Sequence, residues 1–295
     1  MISVIITSYK EPRTIGKAIE SLVKQKIKEE YELIISAPDR ETLDVAKKFS
    51  KKFKQIRLFK DKGKGKSTAI NQILKIVKGR IIILTDGDVY VSNNSLNEIL
   101  KPFEDKKVGC VAGRVFSLNP RGNLLGYWSH LLCHAAHKLR EKRNKKNQFL
   151  ECSGYLWAFR NKIIKKFPLD VGEDTIVPIM FFLKNYKTKY TSDAKVYVKY
   201  PTNLKDFIKQ KKRAAGAHDN IHKYIDTKKI PRMKTISNEI LMGYSLFFYS
   251  KNIKEFFWTL LLFPIRLYIW LSLFYNSRIR KRKYSDAWKR IESTK

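Results

Sequence analysis

Arg80-Ile81-Ile82-Ile83-Leu84-Thr85-Asp86-Gly87-Asp88-Val89-Tyr90 is the stretch on which the fold turns. The consecutive aliphatic residues from Ile81 to Leu84 predict a short strand buried on both faces, as central parallel strands of α/β proteins are. That strand ends on two carboxylates separated by one glycine. Ligands of open α/β sheets gather beyond the carboxyl ends of the strands, so chemistry is expected at this point. Two hard oxygen donors on a tight turn suit Mg2+ or Mn2+, shared with a diphosphate. An ordinary Asp-Gly turn uses the same residues for conformational reasons, so the tripeptide has to be read in context.

Upstream, Ile2 to Ile6 reads as a first strand running into the polar turn Thr7-Ser8-Tyr9-Lys10-Glu11-Pro12. Ile15, Ala18, Ile19, Leu22 and Val23 recur at helical spacing over Thr14 to Gln25, with Thr14 as the expected N-cap. Tyr31 to Ile35 is a second strand, Glu41 to Phe53 a helix and Ile56 to Phe59 a third strand. A helix from about Ser67 to Val77 leads to the quoted strand. Strands and helices alternate with short connections, which predicts a mainly parallel sheet built from right-handed crossovers. The basic loop Lys62-Gly63-Lys64-Gly65-Lys66-Ser67 lacks the first glycine of a P-loop, since Lys60 occupies that position. As a lysine-rich helix N-terminus it still attracts phosphate.

Downstream, Leu96 to Phe103 reads as a helix, Cys110 to Phe116 as a strand and Leu124 to Lys142 as a long helix. His130, His134 and His137 share a face of that helix. They read either as a metal site or, lacking an acidic partner motif, as ordinary surface and core histidines. Glu151 to Arg160 is strand-like and opens at Ser153-Gly154. Glu173-Asp174 precedes a helix from Thr175 to Lys184, as dipole-favoured capping or as part of a site. Tyr190 to Tyr200 is a strand, and Leu204 to Ala217 a basic helix carrying Gln210 and Arg213.

At 295 residues the chain can hold one large α/β domain plus an appendage, or two modest domains, and 43% hydrophobic content excludes wholesale disorder. The formal charge of +34 invites nucleic acid, but the lysines are spread along the chain. Zinc-finger spacing and RNA-recognition aromatics are missing, so no specific nucleic acid is expected. The charge favours anionic ligands and anionic membrane surfaces instead. Cys110, Cys133 and Cys152 fit neither a disulfide framework nor a zinc site and point to a reducing compartment. The strand begins at Ile2, so no signal peptide is expected.

Taken together, these pieces resemble the family 2 glycosyltransferases of GT-A fold, in the right order from Met1 to His218. Val4-Ile5-Ile6-Thr7-Ser8-Tyr9-Lys10-Glu11 resembles that family's first motif, with Thr7 in place of its proline and Lys10 in place of its asparagine. Gly63-Lys64-Gly65-Lys66-Ser67 followed by Asn71 resembles its Gly-Lys…Ala-Leu-Asn segment. Asp86-Gly87-Asp88 resembles its DXD motif, Ser153-Gly154 with Arg160 its acceptor-side strand, and Glu173-Asp174 its base motif. Gln210-Lys211-Lys212-Arg213 resembles the Gln-x-x-Arg-Trp signature, with Ala214 where the tryptophan stands, a departure that weakens any expectation of polymer synthesis. The family's paired aspartates after strand two fall near Ala37 and Pro38, which leaves Asp39 as the shifted candidate for holding the nucleobase.

The resemblance implies a metal-dependent transferase that uses a UDP- or GDP-linked sugar. Thr7, Tyr9, Glu11, Asp39, Lys66 and Asp86 would hold the donor, and Asp86 and Asp88 the Mg2+ or Mn2+ on its diphosphate. That cation stabilises charge developing on the leaving group. Ser153, Gly154, Glu173, Gln210 and Arg213 would lie on the acceptor side. Asp174 would take the proton of the attacking hydroxyl, and a single displacement inverts the anomeric carbon. The implied acceptor is a glycan or a polyprenyl lipid. A nucleotidyltransferase acting on sugar phosphates shares the sheet and the carboxylates, but it gives Glu173-Asp174 and Gln210…Arg213 no purpose. A basic nucleic-acid-binding protein is the further alternative.

The C-terminal part changes character. Ile240 to Tyr249 and Phe256 to Phe274 are apolar, the latter interrupted by Pro264 and Arg266, and a basic tail, Arg278 to Lys283, follows. A single span would carry this tail away from the side where nucleotide sugars occur, against the positive-inside preference. The expected arrangement is a re-entrant hairpin broken near Pro264, or interfacial helices, at the cytoplasmic face of the cell membrane. A soluble helical subdomain or dimer contact is the alternative. The expected division is a catalytic domain over 1–230, an apolar helical segment over 236–275 and a basic tail over 276–295.

Overall fold

A computed structural model describes residues 1–227, 230, 233, 243, 246–275 and 291–294. Half of the expected apolar run from Ile240 to Tyr249 lies outside the described residues, and the basic tail from Arg278 to Lys283 wholly so. The strands are β1 (Ile2–Thr7), β2 (Tyr31–Ala37), β3 (Ile56–Lys60), β4 (Ile81–Asp86), β5 (Val89–Val91), β6 (Val108–Ser117), β7 (Leu156–Arg160) and β8 (Lys187–Val198). Among the described residues the helices include α1 (Ile15–Val23), α2 (Arg40–Ser50), α3 (Lys66–Ile73), α4 (Ser95–Leu100), α5 (Leu124–Lys145), α6 (Glu173–Phe182), α7 (Leu204–Gly216) and α8 (Ile253–Phe274).

All eight strands form one sheet in the order β3-β2-β1-β4-β7-β6-β8-β5. The half built from β1 to β4 is parallel, as the alternation of strand and helix predicts. The chain winds outward from β1 to β2 and β3, then returns to place β4 on the other side of β1. This reversal puts a topological switch point between β1 and β4, where Thr7 pairs with Asp86 in register. The other half is mixed: β7 runs antiparallel to both β4 and β6, and β8 is parallel to β6. The short strand β5 pairs antiparallel with β8 and closes that edge; its Val89-Tyr90-Val91 favours a strand but is too short to show a period.

The aliphatic run of β4 is buried on both faces because the sheet is covered on both sides. Ile81 and Ile83 pack with Ile15, Ile19 and Leu22 of α1, whereas Ile82 and Leu84 pack with Ile70 and Ile73 of α3 and Ile176 of α6. The period-two alternation of a strand sends successive side chains to opposite layers. A third cluster joins Tyr127, Trp128 and Leu131 of α5 to Phe207 of α7 and Leu262 of α8.

Several local expectations are corrected. Thr14 makes no side-chain cap, because its own backbone is already helical; the turn begins with Thr14 N–H and Ile15 N–H donating to Glu11 O. Residues 151–155 are loop, and β7 starts at Leu156. Helix α3 ends at Ile73, short of Val77, and α4 gives way to a 3-10 turn at Lys101. The helix does not break at Pro264: α8 runs through it as one continuous helix of 22 residues. Proline there removes a single backbone hydrogen bond, and packing against α5 and α7 holds the helix together.

Among the described residues, helix α8 is tied to α5 and the turn before it through one face. Arg121 reaches Glu255 with two hydrogen bonds of 2.7 Å, Tyr127 OH lies 2.6 Å from Thr259 Oγ1, and Trp128 Nε1 donates to Trp258 O at 2.6 Å. The opposite side presents Phe257, Leu260, Leu261, Leu267, Leu271 and Phe274 as exposed apolar side chains. Among the described residues, α8 is the helix long and apolar enough to cross a membrane.

Candidate active site

At the switch point the ends of β1 and β4 deliver their polar residues side by side. Thr7 Oγ1 donates to Asp86 Oδ1 at 3.2 Å, and Gly87 N–H donates to Thr7 O at 3.0 Å. The glycine of Asp86-Gly87-Asp88 is required by close approach. A Cβ on Gly87 would stand 2.4 Å from Ser8 Oγ and 2.6 Å from Glu11 Oε2. Among the described glycines the left-handed ones are Gly63 and Gly65, so an ordinary glycine turn does not account for Gly87.

Gly65, with φ of 105°, ends the basic loop and starts α3, placing Lys66 in its first turn. There Lys66 Nζ lies 2.7 Å from Asp86 Oδ1 and 2.9 Å from Glu173 Oε1, and donates to Gly154 O at 3.1 Å. Burial opposes the ammonium, yet the two carboxylates raise the Lys66 pKa and keep it charged. Burial pushes Asp86 above the ordinary aspartate range, with Lys66 pulling it down and the charge of Asp88 pushing it further up.

The residues expected on the acceptor side come from elements far apart in sequence. Glu173 and Asp174 open α6, and Gly154 N–H donates to Asp174 Oδ2 at 2.9 Å. Pro178 sits four residues beyond Asp174 and has no N–H to return to it. The Asp174 carbonyl instead accepts Cys152 N–H at 3.1 Å, which ties the loop before β7 to this helix. Gln210 and Arg213 arrive from α7, and the amide oxygen of Gln210 is buried without a hydrogen-bond partner.

These groups line one cavity of about 420 Å³. Thr7, Tyr9, Glu11, Lys66, Asp86 and Asp88 line it together with Ser153, Gly154, Glu173, Asp174, Gln210 and Arg213. Asp39 stands apart from the cavity wall. Its carboxylate accepts Thr42 N–H at 3.0 Å as the N-cap of α2 and Lys10 N–H at 2.8 Å, so it fixes the turn after β1. Sequence reading passed over Asp61 at the end of β3, buried with Ser36 Oγ at 2.8 Å and Gly63 N–H at 2.7 Å; its position at a parallel strand end was the available signal. Tyr155 and Tyr200 also line the cavity, and their hydroxyls are pushed up by burial.

The histidines of α5 serve packing: His130 Nε2 lies 2.7 Å from Asn119 O, and His137 Nδ1 lies 2.8 Å from Tyr190 OH. Among the described residues no group of three or more His, Cys, Asp and Glu is arranged to hold a metal. Asp86 and Asp88 still fit a hard divalent cation. They are two oxygen-donor groups whose mutual charge raises one pKa, and Mg2+ or Mn2+ commonly takes its remaining ligands from phosphate and water. The cysteines are free thiols, as their spacing predicts.

Against known proteins, 27% of positions are identical over 151 residues to hyaluronan synthase of Streptococcus pyogenes, covering 45% of this chain and 35% of the synthase. A poly(ribitol-phosphate) β-glucosyltransferase of Bacillus spizizenii is 28% identical over 127 residues, 41% of this chain and 20% of that protein. The chain thus spans about a third or less of the length of these curated relatives. Among solved structures, the mannosyltransferase PcManGT from Pyrobaculum calidifontis superposes with a TM-score of 0.62 at 16% identity, over 95% of this chain and 81% of that one. Residues 1–349 of S. aureus TarS superpose with a TM-score of 0.52 at 16% identity, over 93% and 80%. These superpositions establish a shared GT-A fold. The sequence profile described as glycosyl transferase family 2 matches residues 3–167, more than half of the chain, and the chain therefore belongs to that family.

Proposed function

We propose that the protein is an inverting, metal-dependent glycosyltransferase that moves a sugar from a nucleotide-sugar donor to a lipid-linked or glycan acceptor. The observation that carries this reading is the arrangement across one cavity. Asp174, oriented by Gly154 N–H, faces a donor side built on Asp86 and Asp88, with Lys66 in contact with both halves. Asp86 and Asp88 would hold Mg2+ or Mn2+, which when bound offsets the charge of the departing diphosphate. Thr7, Tyr9 and Glu11 line the nucleotide side, and Asp39 supports it by holding the turn that carries them. Asp174 takes the proton of the acceptor hydroxyl, with Glu173 held beside it by Lys66. The PcManGT structure contains GDP-Man and Mn2+ and a TarS structure contains UDP-GlcNAc, which makes both donor types candidates here.

The catalytic unit is assigned to residues 1–230, with the apolar segment 236–275 and basic tail 276–295 holding it on the cytoplasmic face of an anionic membrane. The exposed apolar side chains of α8 among the described residues support a helix lying in the interface. The test is Asp174→Asn, assayed with UDP- and GDP-sugars and Mn2+. Donor affinity is expected to stay within about twofold while transfer falls by at least about 10²-fold, the lower end of what general base catalysis contributes. Transfer at the wild-type rate refutes the assignment.

A further inference from the structure

We propose that residues 291–294 form a wall of the acceptor site and help to decide which acceptors this enzyme admits. The proposal rests on the glycosyltransferase reading of the same cavity. Glu292–Thr294 is a 3-10 turn, and Ile291 and Thr294 are 5% and 7% exposed. Both line the cavity that contains Asp174, Gln210 and Arg213, although they lie well beyond the catalytic elements in sequence.

The turn is clamped onto a specific element. Ser293 N–H donates to Asp206 Oδ2 at 3.0 Å, and Ser293 Oγ accepts Thr202 N–H at 3.3 Å. Within the turn, Thr294 Oγ1 donates to Ile291 O at 2.8 Å. Asp206 lies in the first turn of α7 and Gln210 four residues later, so the clamp and the cavity-lining glutamine share one helical face. The buried, unpartnered oxygen of Gln210 stands ready for a hydroxyl donor, which a sugar or polyol acceptor supplies and a bare hydrocarbon does not. Ile291, an apolar side chain lining the same cavity, would also keep bulk water from the base. Exclusion of water limits the side reaction in which water attacks the anomeric carbon, its proton passes to Asp174, and the bond to the diphosphate breaks.

The experiment compares the full chain with a chain ending at residue 290 and with Ile291→Ala and Asp206→Ala. Each is incubated with a panel of UDP- and GDP-sugars and Mn2+ without acceptor, and release of nucleoside diphosphate is followed alongside donor binding. Donor affinity is expected to change by less than about twofold. Hydrolysis is expected to rise by about fivefold or more in the truncated chain and in Asp206→Ala, a barrier change of about 1 kcal/mol. Ile291→Ala should rise less, and it carries the test if the truncated chain fails to fold. Unchanged hydrolysis in folded variants overturns the wall, and so does a parallel loss of donor affinity, which would put the turn on the donor side. Failure of the underlying reading looks different, because the wild-type chain would then bind no nucleotide sugar.

Discussion

Replacing Lys66 by methionine tests whether one ammonium balances the charge of the whole site. The substitution keeps most of the side-chain length and removes the cation that lies 2.7 Å from Asp86 and 2.9 Å from Glu173. At an effective dielectric of about 20, each contact is worth roughly 6 kcal/mol of gross attraction, most of it offset by the cost of taking the three groups out of water. The side chains of Lys66, Asp86 and Glu173 are 13%, 23% and 7% exposed, so the offset is large and screening is weak. Removing only the cation leaves two carboxylates buried without it, for which a loss of about 3–5 kcal/mol is expected. At about 2–4 °C per kcal/mol, the midpoint of thermal unfolding should fall by roughly 6–20 °C. Lys24→Met is the control. Its ion pair with Glu20 spans 3.7 Å between side chains 72% and 49% exposed, and its loss should stay within about 0.5 kcal/mol. Mn2+ should narrow the gap between Lys66→Met and wild type, because the cation restores positive charge beside Asp86. A Lys66→Met midpoint within about 1 °C of wild type, with an equal Mn2+ shift in both, would refute the reasoning.

The exposed side of α8 predicts lipid binding. Leu267→Asp with Leu271→Asp should weaken partitioning onto vesicles of mixed phosphatidylserine and phosphatidylcholine by at least about tenfold, since each buried leucine contributes roughly 1.5–3 kcal/mol. Flotation assays read the result, and equal flotation of both proteins counts against an interfacial helix. His137 predicts a pH dependence of stability. Burial, aided by the Arg114 charge, lowers its pKa from an ordinary 6.5 to about 4. The unfolded chain therefore binds more protons between those values, and stability should fall as the pH drops through that window. In denaturant titrations the slope between pH 6.5 and 4.5 should flatten in His137→Asn; an unchanged slope assigns the protons elsewhere.

How much of this was legible in the sequence follows from the range of the forces involved. The order β1-α1-β2-α2-β3-α3-β4 was readable because a strand buried on both faces and a one-sided helix impose their periods within a dozen residues. The position of Asp86 and Asp88 at a strand end was readable too, because the aliphatic run before them marks a buried strand, although the tripeptide alone also suits an ordinary turn. The continuity of α8 through Pro264 was not, since the proline pointed to a break and packing decided. The antiparallel insertion of β7 between β4 and β6 was equally hidden, because strand pairing depends on partners tens of residues away. The same holds within the site. Chemistry by residue type was visible along the chain, whereas the bond from Lys66 to Gly154, 88 residues apart, and the return of Ile291 and Thr294 to the cavity arise only when the folded surfaces meet. The sequence by itself determined which elements form and which side chains carry charge. The tertiary structure decided which charges share a cavity, because burial and distance, which set the strength of electrostatic contacts, are properties of the packed chain.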